Sequence, residues 1–143
     1  MTVASILSHK SGTKMISCKP VDTVEEISRR LAEHRIGAIF VIDKDDGLVG
    51  IVSERDIVRK MASAGAGVFN CTANDIMTKD VKSCLPSDTV TMLMGLMTEN
   101  RVRHVPVVVD GKIEGVISIG DVVKARIAKA EREAAEMMQY ISG

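Results

Sequence analysis

Polar and apolar positions in this chain follow two rhythms, and the same succession of rhythms occurs twice. Val24, Ile27 and Leu31 recur at the spacing of one helical face, and Asp22 followed by Glu25 has the form of a capping-box start. The continuous β-branched run AIFVI at 38–42, the turn Asp45-Asp46-Gly47 and the run LVGIV at 48–52 predict two strands joined by a turn. GIVSERDIV at 50–58 then passes from strand into a second helix. From residue 83 the order repeats: Asp88 ahead of Val90, Leu93 and Met97, then VPVVV at 105–109, Asp110-Gly111, IEGVI at 113–117 and GVISIGDVV at 115–123. Each copy predicts a short lead strand, a helix, two strands and a helix.

The repetition extends to individual residues. A shift of 66 lays SCKPVDTV at 17–24 on SCLPSDTV at 83–90, with six of eight positions identical, and also matches Glu33 to Glu99 and Arg35 to Arg101. A shift of 65, one residue less across a turn, lays Gly50, Ser53 and Asp56 on Gly115, Ser118 and Asp121. Such self-similarity marks two copies of one supersecondary unit. A unit of about 60 residues is marginal alone, because it buries too little surface to offset chain entropy. The expected fold is therefore α+β, with two pseudo-twofold-related β-α-β-β-α units packed sheet against sheet over a shared core. The expected boundaries are 1–63 for the first unit, 64–74 for a linker within the stretch ASAGAGVFNCTAN, 75–128 for the second unit, and 129–143 for a helical extension. Residues 121–140 predict one long helix that passes the domain body and is available to a partner.

Composition narrows the function. The chain has 143 residues, with 19 basic and 19 acidic side chains, so nothing in the charge favours nucleic acid or an acidic surface. Aromatic residues are 2% of the chain, too few for a base-stacking platform. Three cysteines without a CxxC pair, and no charged-then-apolar leader, point to a reduced, cytoplasmic protein. No apolar run reaches the length of a membrane span. There is no nucleophile–base pairing and no metal-ligand cluster, and His9 and His34 lack Cys, Asp or Glu at ligand spacing, so the expectation is a protein that is not an enzyme. Cys18 and Cys84 stand at matching strand entries and read as packing residues, as do Met92, Met94 and Met97 on their helix.

The repeated Ser-x-x-Asp has two readings. Serine followed three residues later by an acid, ahead of an apolar run, is a helix N-cap. The same geometry suits a ligand: unpaired N–H groups at a helix start favour an anion, a serine hydroxyl can donate to phosphate, and an aspartate can accept from a ribose diol. Gly50 and Gly115 lack Cβ and would let a planar ring approach the backbone. Periodicity does not separate the two readings.

GIVSERDIV, GVISIGDVV, the strand RVRHVPVVVD and Asp75-Ile76-Met77-Thr78 together resemble a tandem pair of CBS (cystathionine-β-synthase) domains, a Bateman module, here as a stand-alone pair covering the chain from Val3 to about Lys129. The resemblance implies two clefts between the units, each able to take an adenosyl ligand: AMP, ADP, ATP, S-adenosylmethionine or NAD(H). It implies no catalytic cofactor. Ser118 and Asp121 would serve one cleft, with Val116 on the adenine and Arg103 and His104 on the phosphates. Ile36, Gly37 and Thr13 would line its adenine end. The other cleft would use Ile51, Ser53 and Asp56, with Arg55 as a phosphate group and Lys79 and Val102 supplied by the other unit. Gly37 and Ala38 stand where the second copy has Arg103 and His104, which makes the Asp121 cleft the better nucleotide site. The two cations favour a phosphate-bearing ligand over the positive sulfonium of S-adenosylmethionine.

The function implied is a regulatory, signal-transduction module that binds an adenosyl ligand and passes a conformational change to an effector protein. A homodimer is expected, with no nucleic acid and no membrane. The alternative is a structural dimerisation module with no physiological ligand.

Overall fold

The predicted order of elements is observed in the first copy, and in the second the lead strand is reduced to a single bridge from Cys84 to Val107. The computed structural model describes residues 1–10 and 15–142. The first copy runs β1 (Ser17–Cys18), α2 (Val24–His34), β2 (Ala38–Ile42), β3 (Leu48–Ser53) and α3 (Glu54–Ala64), after a leading helix α1 (Val3–His9). A short helix α4 (Ala73–Ile76) leads the second copy, which continues with α5 (Val90–Asn100), β4 (His104–Val109), β5 (Lys112–Ser118) and α6 (Ile119–Ser142). Strands β1, β2 and β3 form one sheet in that order, and β4 pairs with β5 in another. The pairing repeats too: Cys18 lies parallel to Val41, and Cys84 to Val107, each partner shifted by 66.

Matching residues close matching helices. Arg35 and Arg101 adopt the left-handed conformation (φ 53° and 52°) after α2 and α5, where glycine is usual. The N–H of Ile36 returns to the Leu31 carbonyl at 3.0 Å, and that of Val102 to Met97 at 3.1 Å. Ile36 and Val102 are thereby turned against the buried residues of their own copies. In the second copy Asp110 and Gly111 both have positive φ (52° and 77°), the backbone that a two-residue hairpin requires.

The helix starts differ by one residue from the expectation. Thr23 and Thr89 are the N-caps, each accepting from the N–H three residues on, Glu26 and Met92. Asp22 and Asp88 instead accept from Lys19 and Leu85 at 2.9 and 2.8 Å, which commits their carboxylates to closing the preceding turn.

The compact units are not contiguous halves of the chain. One comprises Lys14–Val81 with Asp110–Ile113, and the other Met1–Thr13, Lys82–Val109 and Glu114–Gly143; they are called here the Ser53 unit and the Ser118 unit. The lead helix α1 thus belongs with the second copy. The N–H groups of Val3 and Ala4 donate to Asp88 and Pro86, both at 2.9 Å, and Met1 accepts from Val90 at 3.1 Å. The same lattice recurs around α4: Ala73 to Asp22 and Asn74 to Pro20, both at 2.9 Å, and Val24 to Cys71 at 2.8 Å.

Within the expected linker, residues 64–74, Gly65–Asn70 forms a 3-10 helix, and Val68 and Ala73 are fully buried. The buried residues form two clusters, one in each unit. Val24, Ile27, Ile39, Val41 and Val52 centre one, and Val3, Val90, Leu93, Val105 and Ile117 the other. The expected long helix is present as α6, unbroken over 24 residues.

Candidate functional site

In each unit a strand delivers serine to the start of a helix, and the aspartate three residues on folds back to it. Ser53 N–H and Oγ both donate to Asp56 Oδ2, at 2.9 and 3.0 Å, and Asp56 N–H donates to Ser53 Oγ at 3.2 Å. Ser118 N–H donates to Asp121 Oδ2 at 2.8 Å, and Asp121 N–H returns to Ser118 Oγ at 3.1 Å. The capping role of both motifs is therefore realised in full.

A second clasp ties each helix start to the head of the neighbouring strand. Ile119 N–H donates to the Arg103 carbonyl at 2.8 Å, and Glu54 N–H to the Gly37 carbonyl at 2.9 Å. Arg103 and His104 are consequently held near Ser118 and Asp121 within one unit. Both are exposed. Partial burial lowers the His104 pKa, the Lys10 and Arg103 cations push it the same way, and Asp121 opposes them. The pair thus sets a guanidinium beside an imidazole whose neutral form is favoured.

The remaining predicted residues distribute as follows. Val116 precedes Ser118 on β5 and is half-buried. Ile36 and Gly37 lie in the Ser53 unit, and Val102 in the Ser118 unit. Thr13 lies outside the described residues. Lys79 was expected from the other unit but groups with Asp56. The reason is local: Thr78 pairs with Ile51 through two backbone bonds of 2.8 and 2.9 Å, so the chain has not yet left that unit. Arg55 is exposed on the first turn of α3.

The two glycines have a packing explanation that replaces the expected ring approach. A Cβ on Gly50 would stand 2.7 Å from Met77 Sδ and 3.0 Å from the Thr78 carbonyl oxygen, and one on Gly115 would stand 2.7 Å from Leu7 Cδ2. The missing side chains admit the lead segments of their own units, so these faces are already covered.

Sequence reading missed Lys10. Its ammonium donates to Asp121 Oδ2 at 2.9 Å and to the Val116 carbonyl at 2.6 Å. In the Ser53 unit the equivalent bonds come from one residue in two pieces: Thr78 N–H donates to Ile51 O, and Thr78 Oγ1 to Asp56 Oδ1 at 3.3 Å. A single ammonium thus replaces an amide and a hydroxyl, and it neutralises its aspartate where threonine does not. Burial raises the Asp121 carboxyl, but the bonds from Ser118 N–H and Lys10, with the lysine charge, outweigh it and leave the pKa below the ordinary 3.8. A separation of 111 residues hides this pair from any local pattern. On the helical side of the same aspartate lies a depression of about 400 Å³ between α1 and α6, lined by Met1, Ile6, His9, Lys10, Lys124 and Arg132 among others. Of the predicted residues it includes Asp121 alone.

Among the described residues, no group of three or more His, Cys, Asp or Glu could hold a metal, and no helix is long and apolar enough to cross a membrane. Burial pushes the thiols of Cys18 and Cys84 to about 11, in keeping with packing rather than reactivity.

Comparison with known proteins gives these features a family. The CBS domain model matches residues 3–63 and again 73–128. The mitochondrial CBS domain-containing protein CBSX3 of Arabidopsis thaliana is 33% identical over 99% of this chain and 72% of its own length. The CBS-domain protein ATU1752 of Agrobacterium tumefaciens is 40% identical, with a TM-score of 0.74 over 88% of this chain and 99% of its own. CBSX2, solved in complex with AMP, is 26% identical, with a TM-score of 0.74 over 90% of this chain and 98% of its own. With two model matches, two reciprocal Ser-x-x-Asp caps and two lead segments docked alike, the chain belongs to the CBS-domain family as a tandem pair of CBS domains.

Proposed function

We propose that this protein is a regulatory module that binds an adenosyl ligand at Asp121 and relays the resulting change in conformation to a partner. The observation that carries the reading is the Ile119–Arg103 clasp, which holds a diol-accepting carboxylate and a phosphate-binding pair in one unit. The AMP complex of CBSX2 supports the ligand class. Asp121 accepts the ribose diol, Ser118 lies toward the ribose or phosphate, Arg103 and His104 meet the phosphate, and Val116 packs on adenine. AMP, ADP, ATP and NAD(H) all meet these requirements. Ile51, Ser53, Arg55, Asp56 and Lys79 form a proposed second site, weaker because both Asp56 oxygens are engaged by Ser53 and Thr78.

The module binds without turning its ligand over, and the ligand acts by shifting the population of conformers. A second copy of the chain is the expected partner, with an effector protein beyond it. Buried, unpaired cysteines suit the reducing cytoplasm.

A thermal-shift panel with AMP, ADP, ATP, NAD⁺, NADH and S-adenosylmethionine tests the reading. A ligand at 100 times its Kd adds about 2.7 kcal/mol, or roughly 5–10 °C for a domain of this size. A flat panel with nucleotide-free protein rejects it. That outcome would favour an interaction module without a ligand, a reading to which the fully used caps at Asp56 and Asp121 lend weight.

Lys10 and His104 refine the expectation. A diol must displace the Lys10 ammonium from Asp121, so Lys10→Met is expected to tighten adenosine binding by up to about fivefold, the scale of a partly exposed ion pair. Calorimetry that finds weaker adenosine binding in this variant would place Lys10 among the ligand contacts. His104 is neutral above its lowered pKa and gains charge as pH falls. A bound phosphate stabilises the charged form, so AMP affinity is expected to rise as pH falls below the ordinary 6.5, while adenosine affinity does not follow. Equal pH profiles for the two ligands would remove His104 from the phosphate site.

A further inference from the structure

The second half of α6 is a helix without a home. Val122 and Ala125 seat its first turns on the core of the Ser118 unit, whereas every residue from 129 to 142 is exposed. A helical stretch of about 14 residues with no packing is marginal in water. Its sequence nevertheless carries a seam. Val123, Ile127, Ala130, Ala134, Met137 and Ile141 follow the alternating four-and-three spacing of coiled coils. At about 100° per residue they fall within an arc of roughly 80°, well away from Val122 and Ala125. The large members are open to solvent: Val123 is 50% exposed, Ile127 53%, Met137 63% and Ile141 75%.

We infer that this seam is the contact surface for a second copy of the same chain, with the two α6 helices running antiparallel about a point between Ala128 and Lys129. Size and charge both select this arrangement. Antiparallel pairing sets Val123 against Ala134 of the second copy, Ile127 against Ala130, and Met137 against Gly120, so these three large side chains each meet a small one, while Ile141 falls beyond the start of the opposing helix. A parallel pair would stack Ala130 on Ala130 and Ala134 on Ala134, leaving two successive layers underfilled. Flanking charges agree. Lys124 and Arg126 border the seam on its two sides, and Glu131 and Glu133 border it seven residues later. Antiparallel pairing brings Lys124 to Glu131 and Arg126 to Glu133, each twice by symmetry, while a parallel pair opposes only Arg126 to Glu131. This surface deepens the self-association expected above and rests on it, and it is independent of the adenosyl ligand.

The test is sedimentation equilibrium on the full chain. Arg126 also donates to Thr91 at 3.2 Å and Glu133 approaches Lys129 at 3.9 Å, so circular dichroism on each variant checks that α6 is retained. Lys124→Glu with Arg126→Glu, and separately Glu131→Lys with Glu133→Lys, are each expected to halve the mass at concentrations where the parent is dimeric. All four substitutions together are expected to restore the dimer, an outcome that loss of helix would not give. A dimer indifferent to both charge reversals overturns this seam and leaves self-association elsewhere standing, and a monomeric parent overturns both. Orientation is read from Ser142→Cys under oxidation, against the parent as control for native thiols. Antiparallel helices hold the two sulfurs about 40 Å apart along the axis and no covalent dimer forms, whereas a new covalent dimer would overturn the antiparallel arrangement.

Discussion

Asp121→Asn is expected to remove the ligand-induced thermal shift, weakening AMP by about 10- to 100-fold, since charge-assisted hydrogen bonds contribute about 1–3 kcal/mol. An amide keeps the shape of the side chain but can accept at only one atom, and it presents an NH₂ donor to a diol that also donates. The unliganded protein should lose about 1 kcal/mol through the weakened cap on Ser118 and the broken contact to Lys10. The two losses separate by pH. Because the Asp121 carboxyl titrates below its ordinary 3.8, its stabilisation is complete above that value and disappears as pH falls through the folded-state pKa. Parent and variant should differ by a constant amount from pH 8 to pH 5 and converge below about pH 4. Unchanged AMP binding in a folded Asp121→Asn variant would reduce the motif to a helix cap.

Ile6→Ala is expected to destabilise the protein by about 2–5 kcal/mol, the usual cost of truncating a buried isoleucine, and to do so far along the sequence. Ile6 is 6% exposed and belongs to the cluster of Val90, Leu93, Val105 and Ile117. Native-state hydrogen exchange should therefore lose protection in α5, β4 and β5, while α2, β2 and β3 keep theirs. Faster exchange confined to residues 15–64 would show that α1 supports its neighbour in sequence instead. The expectation follows from the exchange of lead segments. Each copy is completed by residues lying before its partner copy or at the far end of its own, and Val3 and Ala73 make the same backbone contacts in the two units.

Much of this organisation is legible in the sequence because it is local. Helix faces at Val24, Ile27 and Leu31, strand runs at 38–42 and 105–109, and the turn at Asp110-Gly111 each depend on residues a few positions apart. The doubled Ser-x-x-Asp is local as well: a serine and an aspartate three residues apart at a helix start can cap each other whatever surrounds them. Even the one-residue error at Asp22 is a local matter, since Thr23 caps equally well and Asp22 is drawn to the turn before it.

The sequence by itself determined the repeat, the element order, the family resemblance and the position of both caps. Tertiary structure alone decided what lies beside them. Whether Gly50 and Gly115 admit a ring or a neighbouring segment depends on Met77 and Leu7, whose approach no spacing records. Residues 64–74 look like a linker because glycine and alanine carry little pattern, yet Val68 and Ala73 are buried once the segment folds against α2 and α3. Lys10 meets Asp121 across 111 residues, and such a pair is fixed by chain packing and by the charge of one ammonium in a site that its sister copy fills with a hydroxyl.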